Sequence, residues 1–184
     1  MRLLDIHVLG SPVLRQETTP VAKVTDELRR LIDDMFATMY AARGIGLAAS
    51  QVGRLERLAV IDVGESPLVI VNPEIVRHDG SAKAEEGCLS IPEVFGEVER
   101  AARVAVRALD HDGREFELDA SELLARCLQH EIDHLHGRLF IDYLSVLKRR
   151  SALSKWERER KQYPENIRKL PPSEIADHNP GGEL

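Results

Sequence analysis

The sequence has only two cysteines in 184 residues. That is too few for a disulfide framework and points to a reducing compartment, the cytoplasm. No apolar run approaches the roughly 20 residues needed to cross a bilayer. The N-terminal stretch MRLLDIHVLGSP has one Arg and a broken apolar patch, without the continuous apolar core or small-residue cleavage site of a secretory signal. There is no internal repeat, which excludes a stacked array. Neither a membrane nor DNA is expected among the partners. What is present is the composition of an ordinary globular chain, 43% apolar, on a length that suits one domain with a sizeable core.

Charge is unevenly spread. Residues 148–169, KRRSALSKWERERKQYPENIRK, hold nine Lys/Arg against three Glu, so this segment carries +6 in a chain of net −6 and leaves −12 to the rest. A basic segment on an acidic body reads either as a contact for a polyanion or as a solvated helix with its own Glu–Arg pairs.

Hydrophobic spacing orders the remainder. In TDELRRLIDDMFATMYAARG, the residues Leu28, Leu31, Ile32, Met35, Phe36, Met39 and Tyr40 recur with the period of a helix and form one apolar stripe. Thr25 is the expected N-cap and Gly44 the expected stop. RLAVIDV (57–63) and PLVIVNP (67–73) read as strands bounded by Gly and Pro. RVAVRALDHDGREFELDA reads as two strands around the turn Asp112–Gly113. Helical spacing returns in SELLARCLQHEIDHLHG, ended by Gly137, and a further helix is expected within 145–162, before Pro164. From 164 to 184 the chain is polar and rich in Pro and Gly, the composition of a flexible tail behind a single domain of residues 1–163. Helix, several antiparallel strands, then helix is an α+β pattern.

The chemistry concentrates in RCLQHEIDHLHG (126–137). On a helix His130 and His134 lie one turn apart on the same face, so both rings reach one metal ion. Glu131 sits about 100° further round, where it touches water at the metal without ligating it. This is the His-Glu-x-x-His arrangement of metal-dependent hydrolases. Two histidines sharing a helix face for packing alone is the bland alternative.

A third ligand is needed. The extension HExxHxxGxxH fails, because its last position is Phe140. His136 is about 120° round from His130 and points elsewhere. Cys127 lies on the ligand face, but seven residues, or about 10.5 Å, separate it from His134, too far for a short thiolate to share a centre. It suits a small apolar role beside the metal. Cys88, in EEGCLSIPE, is then the expected ligand, with a Cys88–Cys127 disulfide as the structural alternative. The stretch GIGLAASQVG (44–53) has no Lys after its glycines and is not a phosphate loop. It reads as a helix stop running into a core strand, or as glycines permitting close backbone approach, with Gln51 as an amide donor.

Together GIGLAASQ, EGCLSIP and QHEIDHL resemble, in order and spacing, the three signature stretches of the peptide deformylases. The similarity runs from GSPVLRQ near the start to LFIDYLS at 139–145. The resemblance implies an α+β fold, with antiparallel sheets packed around a central helix carrying HExxH, an N-terminal helix and a C-terminal helix. It implies hydrolytic removal of the formyl group from the formylmethionine of nascent polypeptides. One metal ion per chain would sit on Cys88, His130 and His134: iron(II) in the cell, zinc or nickel in the purified protein. Glu131 would act as general acid/base, and Gln51 and the backbone N–H of Leu89 would stabilise the oxyanion. Gly44, Ile45 and Gly46, with Cys127, would bind an N-formylmethionyl peptide laid strand-like along 44–47. Nascent-chain processing gives the basic segment 148–169 a candidate partner in the ribosome.

Two rival readings make different demands. A metallopeptidase with another third ligand would tolerate Cys88→Ser. A metal-stabilised binding protein would have no use for Glu131.

Overall fold

The computed structural model describes residues 1–171. In chain order the first half holds β1 (Ile6–His7), α1 (Asp26–Ala41), β2 (Gly46–Ala48), β3 (Leu58–Ile61) and β4 (Leu68–Asp79). There follow β5 (Ala82–Glu86), β6 (Gly96–Arg100), β7 (Arg103–Leu109) and β8 (Glu115–Ser121). The last elements are α2 (Glu122–Leu135), α3 (Val146–Glu159) and β9 (Ile167–Arg168).

The main sheet has the order β2-β3-β4-β7-β8, with every neighbouring pair antiparallel. Its central strands are apolar on both faces, and alternation divides them between two helices. Leu47, Leu58, Val60, Val69 and Val71 pack with Leu28, Leu31, Ile32, Met35 and Met39 of α1. Ala48, Ala59, Ile61, Ile70, Val104 and Val106 pack with Ala125, Leu128, Ile132 and Leu135 of α2. A strand sandwiched between helices has no polar side, which is why LAVI (58–61) is continuously apolar and buried. At about 1.5–3 kcal/mol for each fully buried large side chain, these two interfaces dominate the fold's stabilisation. A third cluster joins Cys88, Ile91, Val94 and Val98 to Phe140, Leu144, Ala152 and Trp156, seating α3 against the loop after β5.

Helix boundaries follow local chemistry. The Thr25 hydroxyl accepts from the Leu28 N–H at 3.2 Å, with Asp26 and Glu27 favourably placed in the first turn of α1. At its other end the left-handed residue is Arg43 (φ 59), not Gly44. Gly44 is required for another reason: a Cβ there would lie 2.6 Å from Leu89 Cδ1. Gly137 does end α2 in the left-handed region (φ 69).

Some strands exceed or escape the sequence pattern. The strand expected to end at Pro73 continues to Asp79, because a register shift between Val71 and Glu74 takes up the proline. Asn72 (φ 51) pins that bulge by exchanging two 2.8 Å hydrogen bonds with the Val21 backbone. The hairpin β5–β6 and the pair β1–β9 gave no periodic signal. Residues 164–168, expected to begin the tail, instead form a turn at Pro164–Asn166 and then β9, paired with β1. The rest of the expected tail, 172–184, lies outside the described residues. No helix among the described residues is long and apolar enough to cross a membrane.

Candidate metal centre

α2 starts directly from β8 through Glu122, a left-handed residue (φ 52) that turns strand into helix. One turn of helix then brings His130 and His134 together, with their Nε2 atoms 3.2 Å apart. Cys88 arrives from the loop after β5 with Sγ 3.3 Å from His134 Nε2. The three candidate ligand atoms all lie within 4.8 Å of one another and all three residues are buried. Ligands at 2.0–2.3 Å around one tetrahedral ion sit roughly 3.3–3.6 Å apart, so one imidazole pair and one thiol here fit a single ion. Burial, and then the neighbouring His130, hold the His134 imidazole well below its ordinary value, leaving it neutral with a lone pair to give. Cys88 and Cys127 are not joined by a disulfide.

The orientation of His130 comes from a residue the sequence did not single out. Its Nδ1 lies 2.9 Å from Glu86 Oε2. Arg100 donates to both oxygens of the same carboxylate, from Nε to Oε1 at 2.5 Å and from Nη2 to Oε2 at 3.0 Å. Arg126 adds a third partner, Nη1 to Oε1 at 2.7 Å. Burial alone would raise the Glu86 carboxyl, but the bonds from His130 and Arg100 outweigh it and hold the group at about 2. An ionised carboxylate only accepts, so His130 Nδ1 carries the proton and its Nε2 lone pair faces the cluster. Arg100 also bonds Asp133 at 2.8 Å and lies under the Tyr143 ring, 5.0 Å from its centroid. One signal in the sequence pointed here: Arg126 interrupts the apolar LLARCL run one turn before His130, on the ligand-bearing side.

Glu131 is different from every other buried acid. It is fully buried, and neither carboxylate oxygen has a hydrogen-bond partner among the described residues. Burial raises it well above the usual carboxylate range. Gly46 leaves it room: a Cβ at that position would lie 2.2 Å from Glu131 Oε1 and 3.0 Å from Cys127 Sγ. Cys127 is therefore beside the acid and outside the ligand set; its Sγ sits 3.6 Å from the Ile45 carbonyl. Burial, and then Glu131, push its thiol up, the state of an inert lining group.

Gln51 comes from the 3-10 turn Ala49–Val52 that follows β2. Its Oε1 accepts from the Ala48 N–H at 2.8 Å. That fixes the amide with Nε2 toward the metal loop, 3.1 Å from Ser90 Oγ and 3.6 Å from Cys88 Sγ. Leu89, next to the candidate thiolate, is buried with its side chain over Gly44. The three candidate ligands thus converge, with Gln51 beside Cys88, and His136, which helical spacing already points elsewhere, faces away and meets Glu17 at 2.7 Å. A soft thiolate, two imidazoles and an orphaned carboxyl make a donor set for a transition-metal ion with a base beside it.

The family model described as Polypeptide deformylase matches residues 3–150. A peptide deformylase from Alkalilimnicola ehrlichii is 52% identical over 171 residues, 91% of this chain and 96% of its own length. The crystal structure of a peptide deformylase from Legionella pneumophila superimposes with a TM-score of 0.81 at 48% identity, covering 88% of this chain and 99% of that one. The Ehrlichia chaffeensis peptide deformylase in complex with actinonin gives a TM-score of 0.84 at 42% identity, over 89% of this chain and 99% of that one.

Proposed function

Since the chain belongs to the polypeptide deformylase family, we propose how its residues divide the work of removing the N-terminal formyl group from nascent polypeptides. Cys88, His130 and His134 hold one metal ion per chain: iron(II) in the cell, with zinc or nickel occupying the same donors in purified protein. Bound there, the ion supplies Lewis acidity to a carbonyl and lowers the pKa of water toward about 7. Glu131 takes the proton of the attacking water on a carboxylate oxygen and delivers it to the departing amine. Its burial and raised proton affinity suit it to carry that proton between the two steps. The Gln51 Nε2–H and the Leu89 backbone N–H stabilise the oxyanion, and the Ala48–Gln51 bond supports pre-aimed donation from the amide.

The methionine side chain lies in an apolar pocket beside Ile45, Cys127 and His130. The peptide main chain adds to the sheet along Gly44, Ile45 and Gly46. β2 is an edge strand, and the Ile45 carbonyl already accepts from the Asp62 N–H at 2.8 Å. Antiparallel alternation then turns the N–H and C=O of Gly46 away from β3, toward an incoming strand.

The segment 148–169 contacts ribosomal RNA. α3 buries Ala152 and Trp156 and exposes Lys148, Arg149, Arg150 and Arg158. That contact weakens steeply as salt rises; salt-independent binding, or unchanged binding after truncation at 147, removes it. The enzyme works in the cytoplasm.

One observation carries the catalytic reading: the carboxyl of Glu131, buried and without a partner among the described residues, sits on the helix that brings two of the three converging donors. Anaerobically prepared protein should release formate from formyl-Met peptides and contain one ion per chain. A Cys88→Ser protein that keeps both ion and activity would overturn the ligand assignment.

A further inference from the structure

The metal centre is assembled from two separate pieces of chain, and something must fix one against the other. Cys88 hangs from the end of β5, while both histidines ride on α2. Between them lies a buried cluster of four charged residues, Glu86, Arg100, Arg126 and Asp133, balanced in charge. Arg126 has the widest reach of the four. One guanidinium nitrogen donates to Glu86 Oε1 at 2.7 Å and to the Val98 carbonyl at 3.0 Å; the other donates to the Ala82 carbonyl at 2.8 Å. It therefore grips both strands of the β5–β6 hairpin and the carboxylate two residues before Cys88. It does so from a position one helical turn before His130.

The Glu86 carboxylate receives four N–H donors, two from Arg100, one from Arg126 and one from His130. A carboxylate has about four acceptor sites, so this one is saturated and held at every site. Removing one donor frees it to turn, and His130 loses the fixed acceptor that keeps its proton on Nδ1.

We propose that Arg126, acting through Glu86, is a positioning residue for the metal centre: it locks the carboxylate that orients His130 and ties the Cys88-bearing hairpin to the ligand helix. This rests on the assignment of Cys88, His130 and His134 as ligands. The sign of the effect separates positioning from charge alone. A bystander cation near a metal site repels the ion, so deleting it strengthens binding. A positioning cation, once deleted, weakens it, and loss of such an outer partner costs about 10–100-fold in metal affinity.

The test is zinc affinity at pH 7, measured by competition with a colorimetric chelator, with circular dichroism of each metal-free protein as a check of folding. Arg126→Met should bind zinc at least about tenfold more weakly than the parent protein. Arg126→Lys, which keeps the charge but loses the fork, should show a smaller loss, and it carries the test if Arg126→Met does not fold. Glu86→Gln should also weaken binding, and the double variant should be no worse than the weaker single one, because the two share one route. Unchanged or tighter binding in both Arg126 variants overturns the proposal, as do losses that multiply in the double variant. Failure of the parent protein to take up one zinc per chain strikes instead at the ligand assignment beneath it.

Discussion

α1 and α2 are amphipathic helices of similar length that pack on opposite faces of one sheet, yet they bury different things. α1 buries seven of its sixteen residues along one stripe and turns its charges to water. α2 buries eleven in succession, Ala125 to Leu135, all the way round. Apart from Thr38, which is buried and bonds the Asp34 carbonyl and the Leu4 N–H, polar residues in α1 need no partner from the protein. Those in α2 need one each, because a buried polar group without a partner costs about 1–3 kcal/mol. Arg126 and His130 find Glu86, Gln129 finds the Ala101 backbone, and Asp133 finds Arg100. Glu131 finds none. In a helix buried on every side, function shows as the polar group left out of the pairing.

The sharpest way to break this contrast is Glu131→Gln. Formate release should fall by about 10²–10⁴, the usual contribution of a general acid/base, while the metal-free fold loses nothing. The sign of the pH effect follows from the raised proton affinity of the folded-state carboxyl. The unfolded chain ionises first as pH rises past the ordinary value of 4.5, so the contribution of this one carboxyl to the stability of the metal-free parent protein falls on going from acid toward neutral. The Gln variant lacks that loss, and its melting temperature should equal or exceed the parent's at pH 7, with the gap closing below pH 4.5. A variant that melts lower at pH 7 would mean the carboxyl contributes to stability after all.

Replacing Met35 by Ala in α1 should do the reverse. Met35 is fully buried against the sheet, and such truncations cost about 2–5 kcal/mol. Denaturant unfolding should show that loss, while formate release per folded molecule stays at the parent level. A large drop in turnover per folded molecule would show α1 to be coupled to the chemistry.

The two helices also differ in how far the sequence disclosed them. α1 was legible almost completely, from its Thr25 cap to its apolar stripe, because a half-buried helix writes its period into the residues. α2 is legible in its candidate ligand pair His130 and His134, which the structure brings together, and in the acid between them. Its supporting charges are not, because Glu86 in EEG and Arg126 in LLARC read by default as solvated, and burial of charge appears only in three dimensions. Cys88 is the candidate that remains when Cys127, His136 and Phe140 are set aside, and the structure brings it to the histidines. The β5–β6 hairpin escaped for a related reason: AKAEE and GEVER have exposed, charged faces and little apolar alternation. Gly44 reads in the sequence as the stop of α1, whereas in the structure its small size makes room for the Leu89 side chain.

Close approach of backbone separates the helices again. The face of α2 bearing Glu131 is met by the bare Cα of Gly46, whereas α1 meets its sheet through side chains. Gly46→Ala should push Glu131 or Cys127 aside, since the added Cβ would lie 2.2 Å from Glu131 Oε1. A shift of about 1 Å at a reacting group costs roughly 10²-fold in rate. Turnover should fall by about that factor with the chelator-measured zinc affinity unchanged, because Gly46 touches the acid and not the ligands. A fall in metal affinity instead would place Gly46 with the ligands.

The smallest difference sits at the helix starts. Thr25 caps α1 by accepting from the Leu28 N–H, so Thr25→Ala should cost about 1 kcal/mol. Ser121 occupies the same position before α2 but makes no side-chain capping bond, because α2 begins as a continuation of β8 and the sheet fixes its first turn. Ser121→Ala should therefore change stability by only a few tenths of a kcal/mol, within the scatter of surface substitutions. Equal losses at the two positions, read by denaturant unfolding, would mean that α2 depends on its own cap. The converse, a cost at Thr25 alone, follows if α1 is a helix that must stop itself and α2 a helix that the sheet and its buried charges hold in place.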